Sequence, residues 1–165
     1  MTTGNRQGRP PSAVYRYATT ALDAAIANDP DAYAKAMRSL SRNYGGEGVG
    51  AAMLAWVDTL LVEIQAPGGK VIFAPAWMAV DEATADGGTG KINGADDTPP
   101  EARWAGRLIA ARANDDEATY LAVLHSAPQD ERAWSRHVNA LAMTVALTIR
   151  RHLAGKPVLH RGAAS

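Results

Sequence analysis

The sequence predicts an all-α fold: six main helices forming two pseudo-symmetric three-helix repeats, packed into one bundle with a partly irregular central connector. Three observations predict it. Apolar residues recur at three- and four-residue spacing along most of the chain. Helix-starting and helix-stopping residues punctuate that pattern at plausible intervals. The phrase LDAAIAND at 22–29 also returns, lightly edited, as LIAARAND at 108–115.

The first helix is expected from Ser12, a good N-cap residue after the RPP breaker, with Tyr15, Ala18, Leu22 and Ala25 inward and Ile26 beside them. A second follows at once. Asp29 caps it, Pro30 suits its first position, and its inward face is Tyr33, Met37 and Leu40 until YGG at 44–46 stops it. The third, about 47–65, has the clearest stripe: Met53, Val57, Leu60, Leu61 and Ile64. Gly68 and Gly69 end that run. KVIF at 70–73 has β-type composition, WMAVDEATA offers a helical turn or two, and DGGTGKINGADD is a Gly/Asp/Asn-rich connector.

The fourth helix restarts at TPPE, where Thr98 and Glu101 have capping-box spacing and Pro99 falls at the first helical position. Trp104, Leu108 and Ala111 face inward. Asp115 is expected to cap the fifth, which buries Tyr120, Leu121 and Leu124. Acids in SAPQDE and the basic RRH at 150–152 bracket the sixth, with Trp134, Val138, Leu141, Val145 and Ile149 inward and Met143 and Leu147 widening the apolar face.

The repeat extends beyond the echoed phrase. Leu22 and Leu108 stand 86 residues apart, and after one inserted residue Tyr33 faces Tyr120 and Ser39 faces Ser126. Leu54, Ala55 and Leu60 then face Leu141, Ala142 and Leu147, and GKVIF at 69–73 faces GKPVL at 155–159. Small Ala side chains allow close helix approach, while Asn-Asp makes a short turn whose carboxylate caps the next helix. The rival explanation is two ordinary helical hairpins sharing the same capping chemistry. The expected organisation is a flexible basic arm at 1–11 and one helical domain at 12–165: repeat one 12–73, connector 74–97, repeat two 98–160.

At 165 residues the chain suits one domain with a substantial core. It has no cysteine, which excludes disulfides, thiolate catalysis and Cys-ligated zinc. Its start, MTTGNRQGRPPS, lacks the apolar run of a signal peptide, and its most apolar stretch, 138–149, is too short and polar to span a bilayer. The expected location is cytoplasmic. Net charge is zero, but both ends are basic and residues 81–101 are acidic.

Motif chemistry is sparse. His125, His137, His152 and His160 form no tight metal spacing, and a catalytic histidine would need a distant carboxylate such as Asp58, which interrupts an apolar helix. YGGEGVG and DGGTGKING lack the Lys-Ser/Thr pair and following helix of a phosphate loop. Gly8-Arg9-Pro10 resembles the core of an AT-hook, which lays an extended Gly-Arg-Pro in a narrow A·T minor groove. Arg6 would reach phosphate or the groove edge, although Gln7 stands where the AT-hook core has its second arginine. A solvated, disordered start is the preferred reading of this segment. Trp77, with Phe73 and Met78, lies outside the helical pattern as a candidate partner interface or a lid over the core.

The leading expectation is a non-enzymatic interaction module that binds a protein partner or forms a homodimer, with no cofactor, metal or membrane. The first alternative is a DNA-associated accessory protein using Arg6, Gly8, Arg9 and Pro10. The second is a small-ligand binder or enzyme with a pocket around Trp56 and Asp58, between the repeats.

Overall fold

The computed structural model describes residues 12–64 and 99–155. These are all-helical, with five helices and no strand among the described residues: α1 (Ser12–Ile26), α2 (Pro30–Glu63), α3 (Pro100–Ala113), α4 (Glu117–His125) and α5 (Glu131–Leu153). The predicted KVIF strand and the 74–97 connector lie outside the described residues.

The second and third helices of the prediction both fall within α2, which makes five helices instead of six. The expected YGG boundary is a kink: within Pro30–Glu63 Gly45 departs from helical dihedrals (φ 59°, ψ −154°) and separates two helical arms. Two glycines here have different causes. Gly45 adopts a backbone region open to glycine and closed to L side chains. Gly48 is helical, but a Cβ there would fall inside the Tyr44 side chain, so the chain can pass only without one.

The chain divides into two compact units, one ending at Trp56 and the other beginning at Val57. In the first, α1 buries Val14, Ala18, Ala21, Leu22, Ala24 and Ala25. Tyr15, expected inward, is instead 40% exposed. Ala18, Leu22 and Ala25 are inward as expected, and Val14 takes the place of Tyr15 at the start of that face. From α2, Tyr33, Ala36, Leu40, Val49, Ala52, Met53 and Trp56 complete this core. The buried Trp56 indole N–H donates to the Ala18 carbonyl at 2.8 Å, and the Tyr17 and Tyr44 rings meet at 6.2 Å.

In the second unit α3 packs against both α4 and α5. The buried residues are Val57, Leu60 and Ile64 from the end of α2; Trp104, Ala105, Leu108, Ile109 and Ala111 from α3; and Val123 from α4. From α5 come Val138, Leu141, Val145 and Ile149. Two faces differ from expectation. On α4, Leu121 is exposed and Val123 is the inward residue. On α5, Met143 is exposed while Thr144 and Thr148 are buried. Those hydroxyls can be buried because each donates to the carbonyl one turn back, Thr144 to Ala140 at 2.6 Å and Thr148 to Thr144 at 2.7 Å.

The helix joints explain the echoed phrase. After α1, Asn28 N–H donates to Ala25, Asp29 N–H to Ala24 and Tyr33 N–H to Asp29 O. After α3, Asp115 N–H donates to Arg112, Asp116 N–H to Ala111 and Tyr120 N–H to Asp116 O. Asn28 (φ 56°) and Asp115 (φ 53°) each occupy the left-handed position of a Schellman-type stop, which Asn and Asp tolerate better than other side chains. The next carboxylate caps the following helix: Asp29 accepts from Ala32 N–H, and Asp116 from Thr119 N–H, both at 2.9 Å. The predicted cap at Asp115 is therefore corrected to Asp116. The structural correspondence runs 87 residues apart, from Asp29 to Asp116, one more than the letters of the phrase suggest.

Similar small shifts appear elsewhere. α3 starts at Pro100 with Pro99 as its N-cap and no side-chain cap bond, so the expected first helical position is one residue early; Thr98 lies outside the described residues. α5 is capped by Asp130, which accepts from both Arg132 and Ala133 N–H. The letter pairing of Leu60 with Leu147 joins a buried residue to a half-buried one. Burial agrees when Met53, Trp56, Leu60 and Ile64 are set against Val138, Leu141, Val145 and Ile149.

Candidate functional site

The polar chemistry that the fold organises gathers at the α3–α4 joint. Arg112 ends α3, where a cation suits the negative helix terminus. Its Nε donates to Asp58 Oδ1 at 2.7 Å and its Nη2 to Oδ2 at 3.1 Å, a two-pronged pair that ties the end of α2 to α3. The Asp58 hydrogen bond holds Arg112 more firmly protonated than usual, with smaller support from the charges of Asp58, Asp115 and Tyr120. Burial pushes the Tyr120 phenol up, against the lowering influence of Arg112. At Asp116 the Thr119 side chain and backbone N–H both donate, holding the carboxyl below the usual carboxylate range.

A second grouping lies between α3 and α5. The Trp104 ring meets Trp134 edge-on at 6.1 Å and His137 at 5.2 Å. Its indole N–H donates to the Val123 carbonyl at 2.7 Å, so this one side chain holds three helices together. His137 is buried, with Nδ1 at 2.8 Å from the Ala133 carbonyl. A carbonyl oxygen only accepts, so that nitrogen carries a proton.

The predicted candidates are distributed as follows. Trp56 is 1% exposed and hydrogen-bonded inside the core of the first unit. Asp58 is bound by Arg112 in the second, and its side chain is 45% exposed. Arg6, Gly8, Arg9 and Pro10, and likewise Phe73, Trp77 and Met78, lie outside the described residues. Among the described residues no group of three or more His, Asp or Glu is placed to hold a metal ion, and no helix is long and apolar enough to cross a membrane.

Arg112 is the residue that motif reading missed. Its signal was present: it is the charged letter in LIAARAND where LDAAIAND has Ile26. Asp58 likewise interrupts an apolar stripe. Two such interruptions on separate helices are candidates to meet, but nothing local pairs them across 54 residues.

The described residues are all-helical, and their best-organised polar groups join helices to one another. Searches against protein-family models, curated proteins and solved structures found no match to this chain.

Proposed function

We propose that this protein is a non-enzymatic interaction module, built by duplication of a three-helix unit, that associates with a protein partner or a second copy through aliphatic side chains of its second unit. The observation that carries the reading is the exposure of Val62 (75%), Leu153 (69%), Leu121 (43%) and Met143 (42%) among the described residues. Large aliphatic groups left in water are stabilised by burial against a partner at roughly 25 cal/mol per Å². The polar clusters above point the same way, since Arg112, Asp58, Trp104 and His137 are engaged within the fold.

Duplication is supported by the two joints, whose hydrogen bonds repeat atom for atom between Asn28–Asp29 and Asp115–Asp116. A duplicated unit needs no preserved reaction centre; each copy needs only a face to cover.

The test compares wild type with a variant carrying Val62→Lys, Leu121→Lys, Met143→Lys and Leu153→Lys, its helix content first verified by circular dichroism. Sedimentation velocity across a concentration series reads self-association, and affinity capture from the source cells reads partner binding. Association that wild type shows and the variant loses supports the proposal. Indistinguishable behaviour of the two proteins in both assays removes it.

A further inference from the structure

We infer that α2 is a built-in hinge: straightening at Gly45 turns residues 30–63 into one continuous helix, and the opened chain pairs with a second copy by exchanging α1 and the first part of α2. The inference does not depend on the exposed aliphatic side chains discussed above.

The geometry begins with two contacts on α1. Tyr44 meets Tyr17, and Trp56 donates to the carbonyl of Ala18, the next residue along α1. In a straight helix residues twelve apart are separated by about 18 Å along the axis, whereas adjacent residues differ by about 1.5 Å. Both contacts therefore require α2 to bend between Tyr44 and Trp56. Gly45 is the residue that departs from helical dihedrals there. Straightening breaks the Trp56–Ala18 bond within the chain while leaving Tyr17–Tyr44 intact. The bond is recovered when Trp56 of one copy meets Ala18 of another, the usual logic of a domain swap.

The hinge is isolated and unobstructed. Gly45 is exposed, and a Cβ built on it meets nothing within 4 Å. The corresponding joint before α5 is secured differently. There Pro128 interrupts the chain and Asp130 caps the new helix through two backbone N–H groups. The first joint has a glycine where the second has that cap, so only the first can run straight at the cost of one residue's rotation.

The backbone region of Gly45 admits glycine freely but penalises an L side chain. Gly45→Ala is therefore expected to move the bent–straight equilibrium toward the straight helix by about 10- to 100-fold. A chain carrying D-alanine at position 45 does the opposite, because φ +59°, ψ −154° is the mirror image of an ordinary extended L conformation.

The experiment compares full-length wild type, Gly45→Ala and the D-alanine chain by sedimentation and by pulsed electron paramagnetic resonance. The chain has no cysteine, so Asp31→Cys and Ala51→Cys, on opposite sides of Gly45, supply the only two label sites, and dilution with unlabelled protein isolates the intrachain distance. The expected result is a helical Gly45→Ala dimer with labels about 30 Å apart, and a D-alanine monomer with a shorter distance. A Gly45→Ala chain that stays monomeric overturns the inference, whether it is folded with the short distance or has lost helix content. The four lysine substitutions tested above are expected to leave the Gly45→Ala dimer intact; their dissolving it assigns the dimer to the aliphatic surface and also overturns the hinge.

Discussion

Arg112 and Asp58 meet through two good hydrogen bonds, yet their side chains are 41% and 45% exposed. Water screens such a pair, so its coupling is expected at about 0.5–1 kcal/mol even with two-pronged geometry. A double-mutant cycle with Asp58→Ala and Arg112→Ala, read from urea midpoints, should return that value and shrink in high salt. Trp56 offers the contrast. Its indole is buried and its N–H is satisfied by the Ala18 carbonyl, so Trp56→Phe is expected to cost about 2–4 kcal/mol through the lost hydrogen bond and lost volume. If the bridge outweighed the tryptophan, burial would be the wrong guide to this molecule.

The helix joints and the glycine-rich part of α2 decide where elements start and turn. At the α3–α4 joint, the Thr119 donors hold the Asp116 carboxyl below its usual range. The stability this lends is present above the unfolded value, near 4, and lost as pH falls through the lower folded value. In an acid titration of stability, Asp116→Asn should therefore flatten the loss below about pH 4. Within α2, glycines two residues apart should respond oppositely. Gly46 is helical with open space around it, so Gly46→Ala is expected to stabilise by about 0.4–1 kcal/mol. Gly48→Ala drives a methyl into Tyr44 and should destabilise by about 1–3 kcal/mol. Thermal unfolding of the two variants should move the midpoint in opposite directions.

At the scale of the whole molecule, each unit holds a tyrosine whose phenol is pushed up by burial: Tyr33 in the first and Tyr120 in the second. The folded chain keeps both protons where the unfolded chain begins to lose them, near pH 10. The stabilisation is full below that value and lost as pH rises through the folded values. Phenolate absorbance should therefore show Tyr33 and Tyr120 ionising together with the loss of helix, at a pH that Tyr33→Phe should raise. Much of this architecture is legible in the chain alone. Asp29 and Pro30 mark the start of α2, Glu131 and Arg150–Arg151 bracket α5, and Met53, Val57 and Leu60 are inward as their spacing predicts. Such features depend on capping and on periodicity within a few turns, which neighbouring residues carry in full. The candidate site was legible only as two odd letters, Asp58 and Arg112, whose meeting requires the packing of helices distant in sequence. Tertiary structure alone decided that Val14 and not Tyr15, and Thr144 and not Met143, face inward. Adjacent helical positions differ by only about 100°, so a small rotation against a partner helix exchanges them. It also decided that YGG bends α2 instead of ending it. A glycine permits many directions, and the one it takes is set by the contacts of Tyr44 and Trp56 with α1.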